Sequence, residues 1–471
     1  MAYKGKHVRK SKLDVVFRVT IIVLILSLVF AITAIVISAN TDIQDVPPTT
    51  IGELPEAITP SETPTVPPTA PVTEPIIEET EPEHVVKTAT IGSTGDLLMH
   101  APLFSSQYSA EAYKPDGTYN FESLFEYVDD DILDFDFAVA NLETTLCGSG
   151  NGYAYSGYPS FNCPDNIAVS AANAGFDMLL TANNHSSDTG MKGYRRTLEV
   201  VKDAGLMSMG TYASADEQKW EIVDVNGIDV GMVCYTYAFS DTDGRPSLNG
   251  NTPVAEAGLC NYFCYDNLAA FYEEAQAHVN AMNENGADVI MFYMHWGDEY
   301  HLTENNTQRA MAQKLCDMGV DVIVGGHPHV IQPVDLLESS TDPEHRTFCI
   351  YSTGNAVSNQ RKGNISSVST AHTEDGVIFS VTFTQIDDEE AYVSDVSVVP
   401  TWVNMHTNEN NRREYNIIPL HIDTVESWQE DFDLSESQYN NAKSSYERTM
   451  KIVGNGVEEI DEYLSKYKSV G

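Results

Sequence analysis

From about Val85 onward the chain alternates two hydrophobic rhythms. Compact apolar runs at 86–94, 137–141, 177–182, 229–237, 287–294, 320–325 and 347–352 read as strands. Between them, apolar residues recur every three or four positions at 122–133, 165–174, 191–204, 266–284 and 305–318, the spacing of helices. In 305–318, for example, Met311, Leu315 and Met318 fall on one helical face. Asn226-Gly227 separates EIVDV from IDVGMVCYTY and predicts a type I′ hairpin, because both central positions of that turn need positive φ. A β-rich stretch follows at 376–403. Alternation interrupted by hairpins predicts a two-sheet α/β sandwich rather than one purely parallel sheet. Residues 424–469 set Trp428, Phe432, Tyr439, Tyr446, Ile452 and Tyr463 among many acids and predict one or two helices packed on that domain.

The N-terminus follows another rule. Lys4, Lys6, Arg9, Lys10, Lys12 and Arg18 precede Val19–Ala39, 21 residues without a charge. Such a run is long enough to cross the roughly 30 Å hydrocarbon core as a helix. A cleaved signal peptide would have a shorter apolar region and a small-residue cleavage site. Ile37-Ser38-Ala39-Asn40 is a poor one, and no Cys at its end offers a lipoprotein anchor. The reading favours a single-pass signal anchor in the cell membrane, with residues 1–18 a cytoplasmic tail and the main domain extracellular. Residues 40–86 hold ten of the 21 prolines, with Thr and Glu and no Lys or Arg until Lys87, a composition that predicts a disordered tether. The main domain then spans 87–420 and a helical extension 421–471.

The net charge of −43 conceals an asymmetry: beyond residue 40, 20 Lys/Arg face 68 Asp/Glu, a net of −48. That surface repels nucleic acid and anionic headgroups, and suits divalent cations. The seven cysteines are too few and irregular for a disulfide framework. Cys234 and Cys349 lie in apolar runs and read as core; Cys260 and Cys264 are spaced so that they could bridge.

Chemistry concentrates where apolar runs end, in TGDLLMH (94–100), ANLET (140–144), TANNHSSDTG (181–190), MHWGDEY (294–300), GGHPHV (325–330) and YSTGN (351–355). His327 and His329 follow the strand Val320–Val324, with Gly325 and Gly326 expected to allow a tight turn, and make a paired-imidazole clamp. His295 ends another strand, with Glu299 close by as a carboxylate to orient a ligand imidazole. Asn184 offers a hard carbonyl oxygen; His185 beside it reads as ligand or general acid. Asp188 either caps the following helix or fixes His185. Asp96 and Glu143 supply carboxylates, Glu143 placed to bridge two metals. His100 reads as supporting residue or core. A carboxylate, an amide and several imidazoles from separate strand ends suit a two-metal hydrolase, in which cations about 3.5–4 Å apart clamp an in-line displacement.

Taken in order, these motifs resemble the CapA family of bacterial poly-γ-glutamate capsule synthesis proteins over about residues 88–360. The resemblance implies a four-layer αββα sandwich of calcineurin-like metallophosphoesterase type on a membrane-anchored, external domain. It implies Asp96, Glu143, Asn184, His295, His327 and His329 as ligands of two divalent cations (Mn, Fe or Zn), with His185 beside a leaving group. Asn141, Glu299, His100 and Asn355 fall in supporting positions. Implied partners are an anionic polymer, an ATP-dependent polymer ligase and a membrane transport subunit. Three departures stand out: Leu98 replaces the His of the wider superfamily's Asp-x-His motif, Asn141-Leu142-Glu143 replaces its Gly-Asp motif, and Thr353 and Ala356 alter the family's YSLGNF. Three readings follow: a capsule biosynthesis or export protein, an extracellular metal-dependent hydrolase of a phosphoester or amide, and a non-catalytic scaffold subunit.

Overall fold

The computed structural model describes residues 84–468, apart from 110, 151, 241–243, 252, 253, 255, 256, 365 and 367. The expected membrane anchor (19–39) and nearly all of the tether (40–86) lie outside the described residues. Among the described residues no helix is long and apolar enough to cross a membrane.

Strands in chain order are β1 (Val86–Leu97), β2 (Phe137–Leu142), β3 (Met178–Leu180), β4 (Met207–Met209), β5 (Glu221–Val225), β6 (Ile228–Ser240), β7 (Pro246–Ser247) and β8 (Tyr262–Cys264). They continue as β9 (Val289–His295), β10 (Val322–Gly326), β11 (Val334–Glu338), β12 (Arg346–Ile350), β13 (Asn355–Val357), β14 (Asp375–Ile386), β15 (Tyr392–Thr407) and β16 (Arg413–Pro419). The α-helices are α1 (Glu122–Phe125), α2 (Asp129–Leu133), α3 (Asn166–Asn173), α4 (Gly190–Asp203), α5 (Leu268–Glu284), α6 (Asn306–Cys316), α7 (Trp428–Asp431) and α8 (Glu436–Lys468).

The strands form two mixed sheets. One runs β16-β15-β14-β1-β2-β3-β4 with β13 beside β1; the other runs β11-β12-β10-β9-β6-β5 with β7 and β8 beside β6. Alternation along each strand assigns its faces. Met291 and Tyr293 of β9 join Ile91, Val139, Met232 and Phe379 in the core between the sheets. Ile290, Phe292 and Met294 point the other way, onto Phe271 and Val279 of α5 and Met311 and Leu315 of α6. On the first sheet, Ala138 and Ala140 of β2 face outward onto Leu124, Ile132 and Ile167 of α1, α2 and α3. The order is helix, sheet, sheet, helix. Each fully buried residue of the size of Phe292 or Leu315 contributes about 1.5–3 kcal/mol through removal from water.

The hairpin forms as expected: Val225 pairs with Ile228, and Asn226 and Gly227 have φ of 54° and 84°. The expected helix 122–133 breaks into α1 and α2 around a turn at 126–128, where Val128 turns inward and is buried. Cys260 and Cys264 are free, so no bridge forms there, and Cys234 and Cys349 are core residues. The C-terminal region is one short helix and one long one. Trp428 is fully buried and its indole N–H donates to the His421 carbonyl at 3.0 Å. In α8, Val453 and Ile460 join the inter-sheet core. Arg448 and Ser445 bind the buried Asp375 carboxylate at 2.6 Å each.

Candidate metal centre

Parallel strands deliver their C-terminal ends to one rim. β1, β2 and β3 are parallel in the first sheet, and β6, β9 and β10 in the second. All six chemical motifs begin at strand ends or the loops that follow them. Glycines let those ends approach closely. A Cβ at Gly95 would sit 2.2 Å from the Gly354 carbonyl oxygen, and one at Gly325 2.0 Å from that of Tyr351. Gly325 and Gly326 therefore serve contact, not the expected turn; the positive φ angles fall on His327 (94°) and His329 (56°). Backbone strain at two adjacent-but-one histidines costs of order 1–3 kcal/mol each and aims both rings inward.

The side chains meet around Glu143, which is 0 % exposed. Its Oε1 lies 3.7 Å from His295 Nε2 and 3.8 Å from His329 Nε2. Two ligand triads result, Glu143–His295–His327 and Asp96–Glu143–His329, each with its donor atoms within 4.8 Å of one another. Glu143 belongs to both. Neither of its oxygens has a hydrogen-bond partner, and neither does His327 Nδ1. A buried carboxylate left unpaired costs several kcal/mol. A divalent cation is the partner whose chemistry this donor set fits: hard carboxylate oxygens with borderline imidazoles.

The neighbours hold these donors in place. Asp96 Oδ1 accepts from Asn141 Nδ2 at 2.7 Å, and Asn141 Oδ1 accepts from Asn183 Nδ2 at 3.1 Å. His329 Nδ1 lies 3.1 Å from Asp96 Oδ2 and 3.2 Å from Asn355 Oδ1, which turns its Nε2 toward Glu143. Asn184 Oδ1 is 2.8 Å from His295 Nε2. Burial pushes Glu143 well up and, with the neighbouring imidazoles, His295 well down; burial likewise lowers His327. Burial alone would also lower His329, but the Glu143 and Asp96 carboxylates override it and lift it to about 9.

Next to the triads, His185 Nδ1 meets Asp188 Oδ2 at 2.7 Å, and that oxygen also accepts the Phe161 N–H at 2.7 Å. Asp188 thus fixes His185; helix α4 has no side-chain cap. Leu98 is buried and brings no imidazole, as its sequence position implied.

Two expected supporting residues make no hydrogen bond to a ligand side chain. Glu299 is exposed and makes no hydrogen bond to a site imidazole; Asp96 and Asn355 do that work at His329. His100 packs edge-on against Phe161 with centroids 5.2 Å apart and accepts the Asn359 N–H at 3.4 Å, one layer behind His185. Burial lowers it to about 4, so it is neutral near pH 7.

Four residues went unread in the sequence. Tyr237 packs its ring 4.7 Å from His327 and stacks 6.3 Å from His295. Phe161 lies edge-on 4.6 Å from His185. Asn249 sets its amide 3.3 Å from His185 Nδ1 and 3.4 Å from Asn184 Nδ2. Tyr300, at φ 64°, places its ring 6.2 Å from His329. Tyr237 had a usable signal, since it closes the apolar run 229–237, the kind of strand end at which the other motifs sit.

The family model described as "Bacterial capsule synthesis protein PGA_cap" matches residues 90–360, which contain every residue of both triads. A Bacillus subtilis protein named "PGA biosynthesis protein CapA" is 28% identical over 242 residues, 51% of this chain and 57% of that one. Bacillus anthracis "Capsule biosynthesis protein CapA" is 29% identical over 195 residues, 40% of this chain and 41% of that one. A Mycobacterium tuberculosis relative, whose name includes "polyglutamine synthesis accessory protein", is 24% identical over 201 residues, 43% of this chain and 52% of that one. The match thus spans about half the length of these curated relatives. With more than half of its length matched, this chain belongs to the bacterial capsule synthesis protein family PGA_cap.

Proposed function

We propose that this chain acts outside the cell membrane in building or exporting a poly-γ-glutamate-type capsule polymer, and that its sandwich domain is a two-cation centre of calcineurin-like metallophosphoesterase type. The observation that carries the second half is Glu143, shared by two ligand triads with both oxygens buried and unpaired. The names of the relatives support the first half. The apolar segment 19–39 would anchor the chain, and an ATP-dependent ligase and a transport subunit would be its partners in the membrane.

In this reading Asp96, Glu143, Asn184, His295, His327 and His329 hold the cations. Such a pair (Mn, Fe or Zn) would acidify a water and stabilise the charge that develops at a phosphoester or amide. The protein's own part is orientation and proton movement. Asp188 keeps the His185 proton on Nδ1, which leaves Nε2 as the atom that exchanges a proton with a departing group. Asn141 and Asn183 hold Asp96 in a fixed rotamer. Tyr237 and Phe161 exclude water from two sides.

The test has two arms. Mn-loaded protein should hydrolyse a generic phosphoester and His185→Ala should lose that activity; inactivity across several metals and substrate classes would leave a scaffold. Deletion in the native host should diminish surface polymer, and an unchanged capsule would remove the pathway assignment.

A further inference from the structure

Helix α8 reaches the metal centre through one buried carboxylate. Asp375, the first residue of β14, is 1% exposed. Its Oδ1 accepts from Ser445 Oγ and from Arg448 Nη2 at 2.6 Å each, and its Oδ2 accepts from Arg448 Nε at 2.9 Å. The guanidinium grips the carboxylate with two donors, which fixes direction as well as distance. Ser445 is fully buried, so water does not compete for its contact.

The backbone around Asp375 holds the segment that carries Asn355. The Val377 N–H donates to the Thr353 carbonyl at 3.0 Å, and Gly354 faces Gly376 in an antiparallel bridge. A Cβ at Gly354 would sit 2.7 Å from the Asp375 carbonyl oxygen, and one at Gly376 2.3 Å from that of Asn355. Two backbones packed this closely leave no gap to absorb a shift at Asp375. Asn355 Nδ2 donates to the Thr373 carbonyl at 3.0 Å and to the His329 carbonyl at 3.2 Å. Its Oδ1 is thereby turned toward His329 Nδ1, 3.2 Å away. The same segment steadies a second ligand, because the Asp96 N–H donates to the Gly354 carbonyl at 3.0 Å. Two members of one triad, Asp96 and His329, thus rest on a strip that Asp375 backs. Helix α8 also braces the chain beyond His329, where Gly456 lies against the Val334 carbonyl.

We infer that α8 is a positioning brace for the metal centre: Ser445 and Arg448, through Asp375, set where Asn355 and Asp96 hold the His329 imidazole. All three brace residues lie beyond the family-matched segment 90–360. They act through Asn355 and not on a cation. The inference rests on the two-cation reading above.

The experiment titrates the full chain with cobalt(II), whose visible absorption reports the number and arrangement of its ligands. Arg448→Ala should bind about tenfold more weakly than wild type, the span for residues that orient metal ligands, and with an altered spectrum. Arg448→Lys keeps a cation but loses the two-pronged grip, and should fall between the two. Val279→Ala, a core truncation in α5, should lower the thermal midpoint and leave cobalt affinity and spectrum unchanged. That control separates positioning from a general loss of stability. Should Arg448→Ala not fold, Ser445→Ala decides, since it removes one hydroxyl, leaves the ion pair and should still weaken binding. Wild-type affinity and spectrum in the deciding variant, or equal weakening by Val279→Ala, would overturn the inference. Cobalt binding that ignores the variants removes the brace alone, whereas a wild type that binds no cobalt removes the two-cation reading and the brace with it.

Discussion

Asp188 holds His185 across 2.7 Å, three residues apart in a loop with both side chains buried. The contact fixes one tautomer and one ring orientation. Asp188→Asn keeps the size and loses the charge, so the Nδ1 proton is no longer fixed. Hydrolysis by the Mn-loaded protein should fall about 100-fold, within the usual span of general acid–base catalysis. The double variant with His185→Ala should be no slower than His185→Ala alone, because the pair acts as a unit. Steady-state kinetics with a generic phosphoester measure both.

Glu143→Gln should act in opposite directions with and without metal. In chelator, an isosteric amide replaces a buried carboxylate that has no hydrogen-bond partner, and the midpoint of thermal unfolding should rise or hold. With Mn present, the shared ligand is weakened and most of the metal-induced stabilisation should vanish. Calorimetric scans in both buffers read the gap, which should collapse to within a degree or two of zero by the size scaling for such domains.

Two glycines of helix α8 should respond differently to alanine. A Cβ at Gly454 meets only Met450 Cε at 3.9 Å, so Gly454→Ala should stabilise by up to about 1 kcal/mol through helix propensity. A Cβ at Gly456 would sit 2.0 Å from the Val334 carbonyl oxygen, and Gly456→Ala should destabilise by about 1–3 kcal/mol. Urea unfolding of the two variants tests whether α8 is docked on β11 as described.

Away from the centre, His278 gives the domain an acid-side weakness. Burial, and then Lys219, push its imidazole down to about 4, while its Nδ1 contacts the Tyr235 hydroxyl at 2.7 Å. The unfolded chain takes up that proton near pH 6.5, whereas the folded one waits until about 4. Stability from this group is complete above about 6.5 and is lost as pH falls toward 4. At pH 5 the loss is about 2 kcal/mol before screening at this partly exposed position. His278→Gln should flatten the decline between pH 7 and 5, measured by urea titration at each pH.

The two-sheet architecture was legible because buried parallel strands such as β9, with all seven residues buried, read as continuous apolar runs. The hairpin was legible because Asn-Gly is nearly specific to its turn. The triads were legible as motifs at strand ends, since parallel strands bring their C-terminal ends to one rim. What stayed hidden depends on contacts between distant segments. Gly325 is a glycine because the Tyr351 carbonyl passes over it, 26 residues later in sequence, and no local pattern records that. Glu299 reads like an orienting acid from its place beside His295, but the loop turns at Tyr300 and leaves its carboxylate in solvent. Asn249 looks like an ordinary Asn-Gly turn, and only the folded chain brings it to His185.

Metal content is the most direct measurement. Elemental analysis of the compact unit Glu81–Gly471, wild type beside His327→Ala/His329→Ala, counts bound divalent ions after loading and dialysis. The wild type should retain up to two per chain, and the double variant, which loses one imidazole from each triad, should retain almost none. A wild-type protein that holds no divalent ion, or a variant that holds as many, would contradict the account.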